Sequence, residues 1–126
     1  ASAFDLRIVG VRRQPGPVAG IDEIVHPNAL HQALAHADIV ALTCPLTPET
    51  EGLINAAALA AMKPSALLVN VARGKVVDEP ALIAALKENR IAGAGIDVTV
   101  EEPLPAASPL WSMPQVIITP HSAGET

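Results

Sequence analysis

"LLVNVARGKVVDEPAL", residues 67–82, compresses a strand, a loop and a helix start into sixteen positions. Residues 67–71 form an aliphatic run of the kind that strands covered on both faces require. The run empties into Ala72-Arg73-Gly74. Asp78 is then placed to cap a helix, with Glu79 at its positive end and Lys87 and Arg90 near its negative end. Arginine stays charged at any ordinary pH and is costly to bury without a partner. Arg73, at a strand's end, therefore asks for an anion. Either a nearby acidic side chain answers it or a ligand carboxylate does, gripped by two parallel hydrogen bonds.

The same alternation continues on both sides of this stretch. "LRIVGV" (6–11) reads as a strand that ends at Arg12 and Arg13 before a Gln-Pro-Gly-Pro turn. A short apolar patch, Ile24-Val25, precedes His26-Pro27, and Asn28 is expected to cap a helix running to about Ala37. "DIVALT" (38–43) is a second strand, after which Thr47 and Pro48 can open a helix. Asn55 caps "AAALAAM", which Lys63-Pro64 stops. "AGAGIDV" (92–98) is a fourth strand, a proline-rich loop follows, and "QVIITP" (115–120) is a fifth, ending at His121. Apolar strands alternating with helices predict an α/β fold with a doubly wound, mostly parallel sheet. In such sheets ligands bind off the carboxyl ends of the strands, so Arg12, Arg13, Thr43, Arg73, Asp97 and His121 should line one edge.

Composition agrees. Half of the 126 residues are hydrophobic, yet there is one Trp, one Phe and no Tyr, so the core must be built from Ala, Val, Leu and Ile. The net charge of −5, with 8 basic and 13 acidic residues interspersed, is a poor footprint for nucleic acid or an anionic membrane. Cys44 is the single cysteine and cannot form an internal disulfide. With no signal peptide or membrane-spanning apolar run, a cytoplasmic location is expected.

Few residues suit chemistry. His26, His31 and His36 sit at or near the first helix, where capping or solvent exposure accounts for them. His121 instead follows a buried strand and opens the small-residue turn "HSAGET", where a ring can enter a cleft. Glu101 and Glu102 follow the Asp97 strand; if one reaches His121, its charge favours the imidazolium. Asp97 can either cap a turn or accept a hydrogen bond from a ligand amide. Cys44 lies before Pro45 with no basic neighbour and reads as a small hydrophobe rather than a nucleophile. No metal-site spacing is visible. Gly93-Ala94-Gly95 imitates a dinucleotide fingerprint, but no helix opens after it.

Taken together, "ADIVALTCPLTPETEGLIN", "MKPSALLVNVARGKVVDEPALIAAL", "AGAGIDVTVEEPLPAASPLW" and "VIITPHSAGET" resemble the nucleotide-binding domain of the D-isomer-specific 2-hydroxyacid dehydrogenases. The likeness runs in order from about residue 1 to 126. It implies that Arg73 binds the substrate's carboxylate and keto oxygen, that Glu102 rather than Glu101 pairs with the catalytic histidine, and that His121 is the acid/base. It further implies that Asp97 holds the nicotinamide carboxamide, and that Thr43, Cys44, Pro45, Thr50 and Ala72 line the dinucleotide cleft with Arg73, His121 and Gly124. Where this family usually carries an aromatic after "DV", this chain has Thr99. An acid at the end of the second strand suits NAD; Arg12 and Arg13 stand there instead, so NADP is favoured over NAD. The implied partner is a small 2-keto or 2-hydroxy acid, and the implied assembly is a homodimer of the full-length protein.

The resemblance also implies what this stretch lacks. Relatives carry a Gly-rich strand–turn–helix before the "AF" segment, whose strand lies between the first strand here and "DIVALT", and a separate substrate domain. Residues 1–126 are thus expected to be the C-terminal part of a dinucleotide-binding domain, numbered from inside a longer protein. "ASAF" fits the last turn of a helix. The alternative is a dinucleotide-sensing interaction protein on the same scaffold, like the dehydrogenase-related corepressors.

Overall fold

The computed structural model describes residues 2–124. Six strands form two parallel sheets. β1 (Val9–Val11) pairs with β2 (Glu23–Val25), while β3 (Ile39–Leu42), β4 (Leu67–Asn70), β5 (Gly93–Ile96) and β6 (Val116–Ile118) follow one another in a second sheet, in that order. Three helices connect them: α1 (Leu30–His36), α2 (Ala56–Ala61) and α3 (Glu79–Lys87). This is the expected α/β, Rossmann-like arrangement, with β1 and β3 unpaired to each other.

Local signals account for the helix starts. Asn55 Oδ1 accepts the Ala58 N–H at 2.9 Å, and Asp78 Oδ1 accepts the Ala81 N–H at 3.1 Å. Two expectations change. The turn before α1 is capped by His26, whose Nδ1 accepts the Asn28 N–H at 3.2 Å, rather than by Asn28. Thr47-Pro48 opens a single turn, not a helix: Glu51 N–H reaches Thr47 O, but Gly52 at φ +66 then turns the chain away. The patch at Ile24-Val25 is a strand, β2, made by pairing with β1.

The core lies between the second sheet and the helices. Along that sheet, Val40, Leu68, Ala94 and Val116 are in register, as are Leu42, Asn70, Ile96 and Ile118. These rows pack with Leu34 of α1, Ala58 and Leu59 of α2, and Leu82, Ala85 and Leu86 of α3. Burying each such leucine contributes about 2 kcal/mol. Side chains of the alternate rows point to the other face, where Ile39 is 54 %, Leu67 43 % and Ile117 71 % exposed. Among the described residues the helices therefore cover one face of this sheet and leave the other bare. Because all four strands run the same way, their carboxyl ends, at Thr43, Val71, Asp97 and Thr119, share one edge.

Candidate functional site

The loop after β4 is shaped by a buried amide. Asn70, 3 % exposed, accepts the Ala72 N–H on Oδ1 and donates from Nδ2 to Arg73 O, both at 3.0 Å. Both ends of the carboxamide are used inside one tight turn, and Ala72 is buried beneath it. Arg73 emerges exposed, its Nη1 donating to Ala72 O at 2.7 Å. Among the described residues no carboxylate forms an ion pair with it. The guanidinium keeps most of its five donors for something else.

The loops after β5 and β6 are built around two carboxylates. Asp97, 6 % exposed, accepts the Thr119 hydroxyl (2.5 Å) and the Ser122 N–H (2.9 Å) on Oδ1, and the Ala123 N–H (3.0 Å) on Oδ2. These bonds, the Thr119 hydroxyl foremost and then the Ala123 N–H, hold its carboxyl below the usual range against the opposing effect of burial. The clamped segment contains His121 in a left-handed backbone conformation, φ +57, unusual for a side-chain-bearing residue. His121 Nδ1 lies 2.8 Å from Glu102 Oε2, while Glu102 Oε1 accepts the Thr99 N–H at 3.1 Å. The Glu102 carboxyl is held low first by His121 and then by Thr99. Of the adjacent acids, Glu102 is thus the one beside the histidine; Glu101 offers its backbone carbonyl to the Thr99 hydroxyl.

Gly74 joins this group to Arg73. A Cβ there would lie 2.1 Å from the carbonyl carbon of Thr99, so the two backbones touch. Gly74, Thr99, Glu102 and His121 form a continuous chain of contacts along one edge, and Arg73 directly precedes Gly74 in the chain.

The remaining candidates sit around it. Thr43 is exposed and Cys44 half-buried just beyond β3, and burial pushes the Cys44 thiol up, keeping it protonated. Pro45 O accepts the Thr50 hydroxyl at 2.7 Å, and Thr50 Oγ1 accepts the Thr47 N–H at 2.8 Å, so Thr50 shapes its own loop. Arg12 and Arg13 are exposed beyond β1. Arg12 donates to Gln14 at 3.2 Å. Arg13 is close enough to Glu49 for its charge to assist that acid's own N–H and the Thr47 hydroxyl in holding the Glu49 carboxyl low. Gly124 is exposed in the turn after His121. Asn70, Gly74 and Thr119 are additions that sequence reasoning did not single out for the site; an amide within an apolar strand was the one available signal. Among the described residues no three His, Cys, Asp or Glu side chains could hold a metal ion, and no helix is long and apolar enough to cross a membrane.

Against known proteins, the family "D-isomer specific 2-hydroxyacid dehydrogenase, NAD binding domain" matches residues 1–123. A glyoxylate reductase of Pyrococcus furiosus is 45% identical over 126 residues, all of this chain and 37% of that protein. Glyoxylate/hydroxypyruvate reductase B of Pectobacterium carotovorum subsp. carotovorum is 52% identical over 97 residues, 77% of this chain and 30% of the relative. Among solved structures, a D-isomer specific 2-hydroxyacid dehydrogenase from Xanthobacter autotrophicus Py2, in complex with NADPH and MES, superimposes with a TM-score of 0.86 at 50% identity. It covers 90% of this chain and 47% of that one. The chain spans less than half the length of these relatives.

Proposed function

This chain belongs to the D-isomer specific 2-hydroxyacid dehydrogenase family, matched through its NAD-binding domain, and on that premise we propose that it serves an NAD(P)-dependent oxidoreductase acting on a 2-keto or 2-hydroxy acid. The reading treats residues 1–126 as part of a dinucleotide-binding domain, with the substrate domain formed by other segments of a longer polypeptide. A homodimer is the assembly that goes with it.

The observation that carries the proposal is the His121–Glu102 contact of 2.8 Å on the same edge as Arg73, which has no carboxylate partner among the described residues. In reduction, Arg73 holds the substrate carboxylate and polarises its keto oxygen, and His121 gives a proton to that oxygen as it becomes a hydroxyl. Glu102 stabilises the imidazolium until the transfer; oxidation reverses each step. The nicotinamide supplies or takes the hydride when bound. The chain's work is to orient and charge the site.

The residues present fit a dinucleotide at its two ends. Asp97 Oδ2 accepts one hydrogen bond, which leaves it room for a carboxamide N–H. Arg12 and Arg13 suit a 2′-phosphate. The described residues contain no glycine loop of the strand–turn–helix kind to cradle the pyrophosphate.

The test follows the reduced-nicotinamide absorbance of the intact protein with glyoxylate and hydroxypyruvate, using NADPH and NADH in turn. Turnover is expected with one of these acids or a close analogue, with NADPH the better cofactor. Arg12→Ala with Arg13→Ala should erode that preference. Dinucleotide binding without turnover on any 2-keto acid would sink the enzyme reading and favour a dinucleotide sensor.

A further inference from the structure

Gly74 and the Thr99–Val100 peptide approach so closely that something must hold them there. A Cβ on Gly74 would stand 2.1 Å from both the carbonyl carbon and oxygen of Thr99 and 2.5 Å from Val100 N. The glycine serves close approach. Yet the β4–β5 ladder ends before this point. Its last bond beyond the strands runs from Asp97 N–H to Asn70 O, at 3.0 Å, and the chain then leaves the sheet. At the corner that follows, Thr99 N–H turns to Glu102, and Val100 N–H donates to Glu79 Oε2 at 3.1 Å.

Glu79 is the first residue of α3, so its backbone is fixed by the Asp78 cap and its charge is favoured by the helix's positive end. It is half-buried and lines, with Asn70, Gly74, Leu82 and Val98, a cavity of about 10 Å³, room for roughly one water molecule. A carboxylate anchored on a helix start thus reaches across to a loop belonging to another strand. We infer that Glu79 is a positioning residue: by accepting the Val100 N–H it pins the Thr99–Val100 corner onto Gly74, and so fixes Arg73 relative to the Glu102–His121 pair. The inference rests on the reading of Arg73, Glu102 and His121 as the reacting groups. It adds a residue that touches neither substrate nor cofactor.

A 1 Å displacement between groups that must act on one substrate can cost as much as 10²-fold in rate. In the intact enzyme, Glu79→Ala should therefore lower kcat by about tenfold while leaving the dinucleotide Kd within about twofold. Glu79→Gln keeps an oxygen acceptor at the same reach without the charge, and should retain most of the turnover. Glu79→Asp keeps the charge but falls one methylene short, and should behave like Ala. If the glutamate matters only as an acid at a helix start, the order reverses, with Asp active and Gln impaired. A second readout is independent of activity. Amide exchange at Thr99 and Val100 should quicken, and the His121 ring resonances should move, in the Ala and Asp variants but not in Gln. Unchanged kcat and unchanged exchange in Glu79→Ala would overturn the inference. Should the wild-type enzyme itself fail to turn over, the dehydrogenase reading falls first, and the exchange and ring signals alone decide whether the latch exists.

Discussion

At the scale of single residues, the pair Glu102–His121 has a definite dependence on acidity. The Glu102 carboxyl lies below its ordinary value, chiefly through the His121 hydrogen bond and then the Thr99 N–H. A carboxyl depressed on folding contributes stability that is complete above its unfolded value, about 4.3, and is lost as the pH falls through the lower folded value. Asp97 carries the same sign, through Thr119 and the loop N–H groups. The melting temperature of Glu102→Gln should therefore lie below wild type near neutrality, with the gap closing below about pH 4. A gap still fully open at pH 3 would contradict the assignment. Arg73 and His121 were legible as candidates because each stands just past the end of an apolar strand, whereas Glu102 was separated from Glu101 only by the family resemblance, and the structure has Glu102 beside His121. The roles of Asn70 and Glu79 were not legible, because their partners depend on which backbone passes beside them. Asp97 was legible only as two alternatives, and the structure shows it tying down Thr119, Ser122 and Ala123.

At the scale of elements, the loop after β4 and the corner after β5 behave as one unit because a missing side chain lets them meet. Gly74→Ala forces a methyl group into the Thr99 carbonyl, and neither backbone can yield without breaking the Asn70 turn or the Glu102 contact. The expected loss is about 3 kcal/mol, measured by denaturant unfolding of the intact protein, together with reduced turnover. A loss below about 1 kcal/mol would mean the corner is free to move. Helices α2 and α3 were readable from Asn55 and Asp78, because a cap is a contact three residues long. β2 was not, since three residues become a strand only by pairing with β1 across the intervening loop. The turn at Thr47 shows the reverse case. A correct start signal was cut short by Gly52 and by the Thr50 hydroxyl bonding back to Pro45.

At the scale of the whole molecule, the core is one-sided. The apolar strands suggested a sheet covered on both faces, and the described residues cover one. Residues 1–126 produced alone should therefore bind a hydrophobic dye such as anilinonaphthalene sulfonate strongly, and Ile117→Lys together with Leu67→Lys should reduce that binding. Dye binding no greater than that of an ordinary folded protein would show that the chain covers this face by itself. The Ile39–Leu67–Ile117 surface also bears on how such a domain can be inherited. A sheet clothed on a single side makes a poor genetic cassette. Grafted by itself into a new host protein, it would arrive with an oily flank and invite clumping, so recombination that succeeds must carry the covering segments along with the chemistry.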